Sequence, residues 1–123
     1  KPVRFEADTA GAERAGRDLV NPFAADDGEA IARGRQVYET FCVTCHGTGG
    51  RGDGPVARRG VPPPPSLVAG RAPTLADGHL FHILTYGQNN MASYAAQVGR
   101  EDRWRVILHV RSLQARAAAP AQP

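Results

Sequence analysis

The stretch Cys42-Val43-Thr44-Cys45-His46 constrains this chain more than any other. Cys-x-x-Cys-His is the pattern of covalent c-type haem attachment. Two residues between the thiols let both reach the two haem vinyl groups from one helical turn. His46, next in line, can then offer a ring nitrogen to the iron. Zinc and thiol-redox proteins also use Cys-x-x-Cys, but both readings fit poorly. A structural zinc site needs four ligands, and Cys42 and Cys45 are the only cysteines. A thioredoxin-like motif belongs in a strand–helix alternation, and none is visible. With both thiols committed to haem, no disulfide forms.

The 123 residues suit one domain rather than two. Apolar residues make up 41%, and no run of 18 or more is present, so no membrane-spanning helix is expected. Covalent haem is attached outside the cytoplasm, which predicts a periplasmic or equivalent compartment. The first residue is Lys1 and no apolar leader is present, so a removed signal peptide or anchor is expected. Net charge is +3, with fourteen of the fifteen basic residues Arg. There is no block of five like charges and aromatics are sparse, which argues against nucleic-acid binding. The small excess reads as solvated surface, with weak steering toward an acidic redox partner as the functional alternative.

Residues 1–25 form an N-terminal extension without clean periodicity. A short helix is expected over Glu13 to Val20, then a turn or extended joint at Asn21-Pro22. Packing of Val20 to Phe23 on the rest of the chain is expected. Asp26-x-x-Glu29 reads as a capping box opening a helix, followed by Ile31, Val37, Tyr38 and Phe41 on one face. Gly34 shares that face; a mid-helix Gly costs about 1 kcal/mol relative to Ala, so close approach of another helix is its expected reason. Gly47 to Gly54 holds five glycines and must be a loop. It is not a phosphate cradle, since no Lys-Ser/Thr follows and no strand precedes. Pro62 to Pro65 run extended, and the Pro65 carbonyl is the expected acceptor for the His46 Nδ1 proton. Leu67 is expected to pack on the haem face.

Asp77 is expected to cap a helix ending at Tyr86, with Gly87 beyond it. His79 and His82 on this helix read as solvent-facing or haem-edge groups rather than ligands. Met91 is the only Met. It follows the turn-forming Gly87-Gln88-Asn89-Asn90, which suits presentation of a soft thioether to iron, and such a ligand raises the reduction potential. Gly99 starts a last helix with Trp104, Val106, Ile107, Val110 and Leu113 on its apolar face. Residues 115–123 read as a flexible tail.

This order of signals resembles a class I cytochrome c over roughly Asp26 to Gln114. The resemblance implies an all-α fold: helices wrapped around one covalently bound haem c, with the N-terminal extension added, and a haem domain over residues 26–114. It implies His46 and Met91 as axial ligands, with Cys42, Cys45, Pro65, Leu67 and Tyr94 completing the haem site. It also implies a close crossing of the first and last helices at Gly34 and Tyr38. The family's last-helix aromatic falls here on His109, a departure. Shorter strings are similar to the mono-haem cytochrome subunit of bacterial alternative complex III and to cytochrome domains of caa3-type oxidases. They are Asn21-Pro22-Phe23, Gly34-Arg35-Gln36-Val37-Tyr38, Cys45-His46-Gly47, Gly52-Asp53-Gly54, Pro64-Pro65-Ser66-Leu67, Tyr86-Gly87, Asn90-Met91-x-x-Tyr94 and Asp102-Arg103-Trp104. Those subunits are commonly lipid-anchored through an N-terminal Cys, which is not seen here. The resemblance implies a one-electron carrier, not an enzyme. It would be a monomer when isolated, passing electrons from a quinol-oxidising complex to a terminal oxidase or other acceptor. Tyr94 and Ala92 are candidate rim residues for docking. Three rivals remain: a haem enzyme or ligand-binding domain with a displaceable sixth ligand, a bis-His cytochrome in which His79 or His82 replaces Met91, and a non-redox docking module.

Overall fold

In the computed structural model, residues 5–60 and 62–119 are described. Five α-helices are present among them: α1 Thr9–Asp18, α2 Gly28–Phe41, α3 Val43–His46, α4 Asp77–Tyr86 and α5 Arg100–Ala118. Two 3₁₀ turns, Pro55–Arg59 and Ala72–Thr74, lie between α3 and α4. The described residues contain no strand, only an isolated bridge between Gln88 and Met91. The all-α expectation therefore holds.

Several boundaries differ from the expectation. The first helix is Thr9–Asp18, not Glu13 to Val20. It is opened by Asp8, whose side chain accepts from Gly11 N at 2.8 Å, and Asp is a strong N-cap. Its buried residues are Gly11, Ala12 and Ala15, so it has no large apolar stripe to read. Val20 lies beyond its end and is 82% exposed, whereas Phe23 is half-buried and packs near Phe81 and Trp104. The second helix is capped by Asp27 rather than Asp26: Asp27 Oδ1 accepts from Ala30 N at 3.0 Å. Asp77 is the first helical residue of α4, not its cap, and it pairs with Arg111 and Asn21 instead. Helix α5 continues through Ala118, so only the tip of the expected tail, residues 120–123, lies outside the described residues, as do residues 1–4.

The centre of the molecule is the crossing of α2 and α5. A Cβ on Gly34 would stand 2.0 Å from the Arg105 carbonyl oxygen, so only Gly lets the two backbones approach this closely. One turn along, Tyr38 is 1% exposed and its ring faces the His109 imidazole at 5.0 Å between centroids. Burial lowers the His109 pKa, which keeps the ring neutral and lets it fill the place of an aromatic. Around this crossing Val37, Tyr38, Val98, Val106 and Leu113 form the buried core. Phe81, Trp104 and Ile107 form a second cluster, in which Phe81 and Trp104 stack at 4.1 Å.

A second crossing brings α1 onto α4. Here a Cβ on Gly78 would lie 2.1 Å from the Ala15 carbonyl oxygen. The connector from α1 to α2 is tied down by Asn21, whose amide donates to Asp77 Oδ2 at 3.2 Å and to the Trp104 carbonyl at 3.1 Å. Of the N-terminal extension, Thr9–Asp18 is thus helical and packed over α4.

Candidate haem-attachment site

Helix α2 ends at Phe41 and the chain passes almost without a break into α3. Cys42 N donates to the Tyr38 carbonyl at 2.8 Å, and His46 N donates to the Cys42 carbonyl at 2.9 Å. Cys42, Cys45 and His46 therefore share one helical turn anchored to the central crossing. Both cysteines are free and half-buried. Burial, with a smaller contribution from Cys45, pushes the Cys42 thiol up to about 12. A thiol-redox motif works through a lowered thiol pKa, so this environment opposes that reading. No group of three or more His, Cys, Asp or Glu side chains gathers as a metal site among the described residues, which opposes the zinc reading.

The Gly-rich segment folds back over this turn. Gly52 N donates to the His46 carbonyl at 2.9 Å, and Gly54 N to the Cys45 carbonyl at 3.1 Å. Tyr38 Oη donates to the Gly47 carbonyl at 2.5 Å, fixing the start of the loop to the core. Leu67 is held from two sides. Its N–H donates to the Gly50 carbonyl at 2.7 Å and its carbonyl accepts from Gln114 Nε2 at 2.9 Å. Its side chain joins Cys42, Val43, Val68, Leu84 and Tyr94 around the buried core. The Tyr94 ring meets Phe41 edge-on at 6.3 Å. Its pKa is raised by burial first and then by Cys42 and Cys45.

His46 is 9% exposed, and burial lowers its pKa. Its Nδ1 is buried without a hydrogen-bond partner, so the expected bond to the Pro65 carbonyl is not made in this structure. Pro65 itself is exposed. The nearer proline carbonyl to the Gly loop is that of Pro64, 2.4 Å from where a Gly52 Cβ would stand. An unsatisfied buried polar atom costs about 1–3 kcal/mol and calls for an explanation. A buried imidazole kept neutral at the end of a Cys-x-x-Cys turn fits the demands of a covalently tethered haem. Cys42 and Cys45 would hold its vinyl carbons and His46 its iron.

Met91 is half-buried in the Gly87–Gly99 segment. Its backbone closes a tight turn with Gln88, through Met91 N to Gln88 O at 2.8 Å and Gln88 N to Met91 O at 3.0 Å. Three residues on, Tyr94 N donates to the Leu84 carbonyl at 2.9 Å. The structure thus packs Cys42, Leu67 and Tyr94 on one core, with Cys45 in the same helical turn as Cys42 and Met91 three residues before Tyr94. It leaves Pro65 outside. His79 and His82 are neither solvent-facing nor at this site. Both are buried at the α1–α4 crossing, and His82 Nε2 hydrogen-bonds the Glu6 carbonyl at 2.6 Å. A cleft of about 370 Å³ lies elsewhere, lined by Phe23, Asp27, Glu29, Ala30, Arg33 and Arg105. None of the site residues borders it.

An all-α fold closed by a glycine crossing, with Cys-x-x-Cys-His at the end of its first crossing helix, defines a class I c-type cytochrome. Residues 29–110, more than half of the chain, match the family model described as cytochrome C oxidase, cbb3-type, subunit III, and the chain belongs to that family. Among solved structures it is similar to a chain of the reducing HAO-like protein complex of Kuenenia stuttgartiensis, with 27% identity and a TM-score of 0.62. That likeness covers 77% of this chain and 49% of the other, so this chain spans about half the length of its structural relative. No curated protein sequence matches the chain. The family implies covalent haem c and haem-based electron transfer.

Proposed function

We propose that this protein is a mono-haem, one-electron carrier with His46 and Met91 as axial ligands. The observation that carries the reading is the placement of Tyr94. Its ring packs on the same buried core as Cys42 and Val43, and its N–H bonds the Leu84 carbonyl, which supports a segment 87–99 that returns towards the attachment turn with Met91 three residues before Tyr94. When bound, the haem supplies a one-electron Fe(III)/Fe(II) couple. His46 enters this arrangement neutral, because burial holds its pKa down. Met91 offers a thioether, which favours the reduced metal and raises the potential. Val37, Leu67, Val68 and Tyr94 exclude water from the attachment side. Two protein ligands leave no coordination position for a substrate, which makes the protein a carrier and not an enzyme.

Electrons would enter and leave by transient docking at the low end of interface sizes, with Ala92 and Tyr94 at the rim. The short motifs shared with alternative complex III and caa3-type oxidases support a quinol-oxidising complex as donor and a terminal oxidase as acceptor, on the extracytoplasmic side of the membrane. Among the described residues no helix is long and apolar enough to cross a membrane. Attachment through a partner or a separate anchor is consistent with that.

Replacing Met91 with Ala tests the ligand assignment. The weak near-red absorption of Fe(III)–sulfur ligation should vanish, and the potential should fall. An unchanged potential would count against Met91. A second reading, a haem centre with a displaceable sixth ligand, is favoured by the likeness to a reducing HAO-like complex and by the irregular backbone around Met91, where Asn89 has φ +52. It differs in one respect: the reduced protein would bind carbon monoxide at once.

A further inference from the structure

Arg103, in the first turn of α5, is 8% exposed, and no carboxylate pairs with it among the described residues. A buried cation without a counter-ion is costly, and an apolar side chain of similar volume is often as stable or more so. Such a residue calls for a role beyond packing. Its surroundings are unfavourable to charge, since burial and then Arg100 lower its pKa. Its Nε is buried and unpartnered, so the remaining contacts account for its position. Nη1 donates to the Val98 carbonyl at 2.8 Å and to the Ala95 carbonyl at 3.3 Å. The guanidinium lies over the Phe81 ring at 5.1 Å.

Both carbonyls belong to the Gly87–Gly99 segment. Its first half is fastened to the end of α4, by Tyr94 N to the Leu84 carbonyl and by Ser93 Oγ to the Thr85 carbonyl at 2.5 Å. Its second half turns back through Val98 N to the Tyr94 carbonyl at 2.8 Å and enters the core at Val98, which is 5% exposed. Arg103 is the side chain that ties this second half to α5. We propose that Arg103 is a positioning residue for electron transfer: it clamps the Ala95 and Val98 carbonyls and so fixes the segment that presents Met91. The proposal rests on the assignment of Met91 as the sixth ligand. A guanidinium suits the task because one of its nitrogens, Nη1, carries two N–H donors for the two carbonyls while the delocalised charge stands over the Phe81 ring. Lys offers a point charge with donors but no plane.

The test compares the holoprotein with its Arg103→Met and Arg103→Lys variants. Amide hydrogen exchange at Tyr94 and Val98 should quicken roughly tenfold in Arg103→Met, the size set by losing one buried hydrogen bond. Exchange at Val37 and Tyr38 in α2 should not change. On heating, the near-red Fe(III)–sulfur absorption should disappear before the helical circular dichroism, and Arg103→Lys should restore part of the gap. Should Arg103→Met fail to accumulate, Arg103→Lys against the parent carries the same exchange comparison. Exchange that rises equally across α2 and α5, with absorption and helix melting together, reduces Arg103 to a structural residue and overturns the proposal. So does an unchanged Tyr94 and Val98. Loss of the Met91 reading is separate: the unaltered protein would then lack the near-red absorption, while the exchange result still judges the clamp.

Discussion

Two helix crossings hold this molecule, and both use a glycine pressed against a backbone carbonyl. At the α2–α5 crossing Gly34 meets Arg105; at the α1–α4 crossing Gly78 meets Ala15. Their surroundings differ. The first is embedded in Val37, Tyr38, Val106 and Leu113, a cluster that reaches Cys42. The second has Gly11, Ala12, Ala15 and Gly16 on one side and buried His79 and His82 on the other. Burying an apolar side chain contributes about 1.5–3 kcal/mol, whereas a buried imidazole contributes only while it stays neutral. The first joint also holds one buried imidazole, His109 against Tyr38, but within a large apolar core, whereas the second holds two against the small residues of α1. One backbone device therefore gives a more permanent joint around the attachment turn and a more conditional one over α4. The Gly34–Arg105 contact of the permanent joint lies within residues 29–110; of the conditional one, α1 lies outside them.

The largest effect should come from Gly34→Ala. The added methyl would meet the backbone of α5, which cannot swing away, so a loss of about 3 kcal/mol in denaturant unfolding is expected. A loss under about 1 kcal/mol would mean that the helices can separate freely. Gly78→Ala should cost less, about 2 kcal/mol, because α1 can lift as a unit. Its mark would be faster exchange in α1 with α2 unaffected, and equal effects on both helices would erase the distinction between the joints.

Acid should separate the joints next. Burial, the leading cause, lowers the pKa of both His79 and His82 below 6.5. The unfolded chain then takes up protons that the folded one refuses. Stability is complete above pH 6.5 and declines as pH falls from there through the lowered folded values. Around His79 stand Arg71 and His82, which oppose its protonation, and Glu13, which favours it; Asp8 favours that of His82. Helical circular dichroism should therefore show α1 melting first in mild acid, and loss of α1 that is indifferent to pH would remove the histidines from the account. The smallest effect, about 1 kcal/mol, is expected for Asn21→Ala, which deletes the bonds to Asp77 and Trp104. Urea unfolding would measure it, and no change would show the connector to be passive.

The same contrast explains what was legible in the sequence. The permanent joint announces itself through large apolar residues at helical spacing, a Gly in their midst and Cys-x-x-Cys-His at the end, and the crossing of α2 with α5 follows from them. Helix α1 buries only Gly and Ala, so periodicity carried no signal, and the expected helix starts four residues and ends two residues too far along the chain. Asp8 before an Ala-rich stretch was the available cue. Asp27 displaced Asp26 as cap because capping depends on backbone angles that neighbouring acids do not reveal. Pro65 was a reasonable acceptor by residue type, yet only coordinates show that His46 Nδ1 has none. Arg103 looked like one more surface Arg; nothing short of its burial distinguishes it.

The account depends on a haem held from both sides by this chain. Mixing the reduced holoprotein with carbon monoxide tests that most directly. With His46 and Met91 both bound, the Soret band should stay where it is. Prompt formation of a carbon monoxide complex, or a purified protein without covalently attached haem, would contradict it.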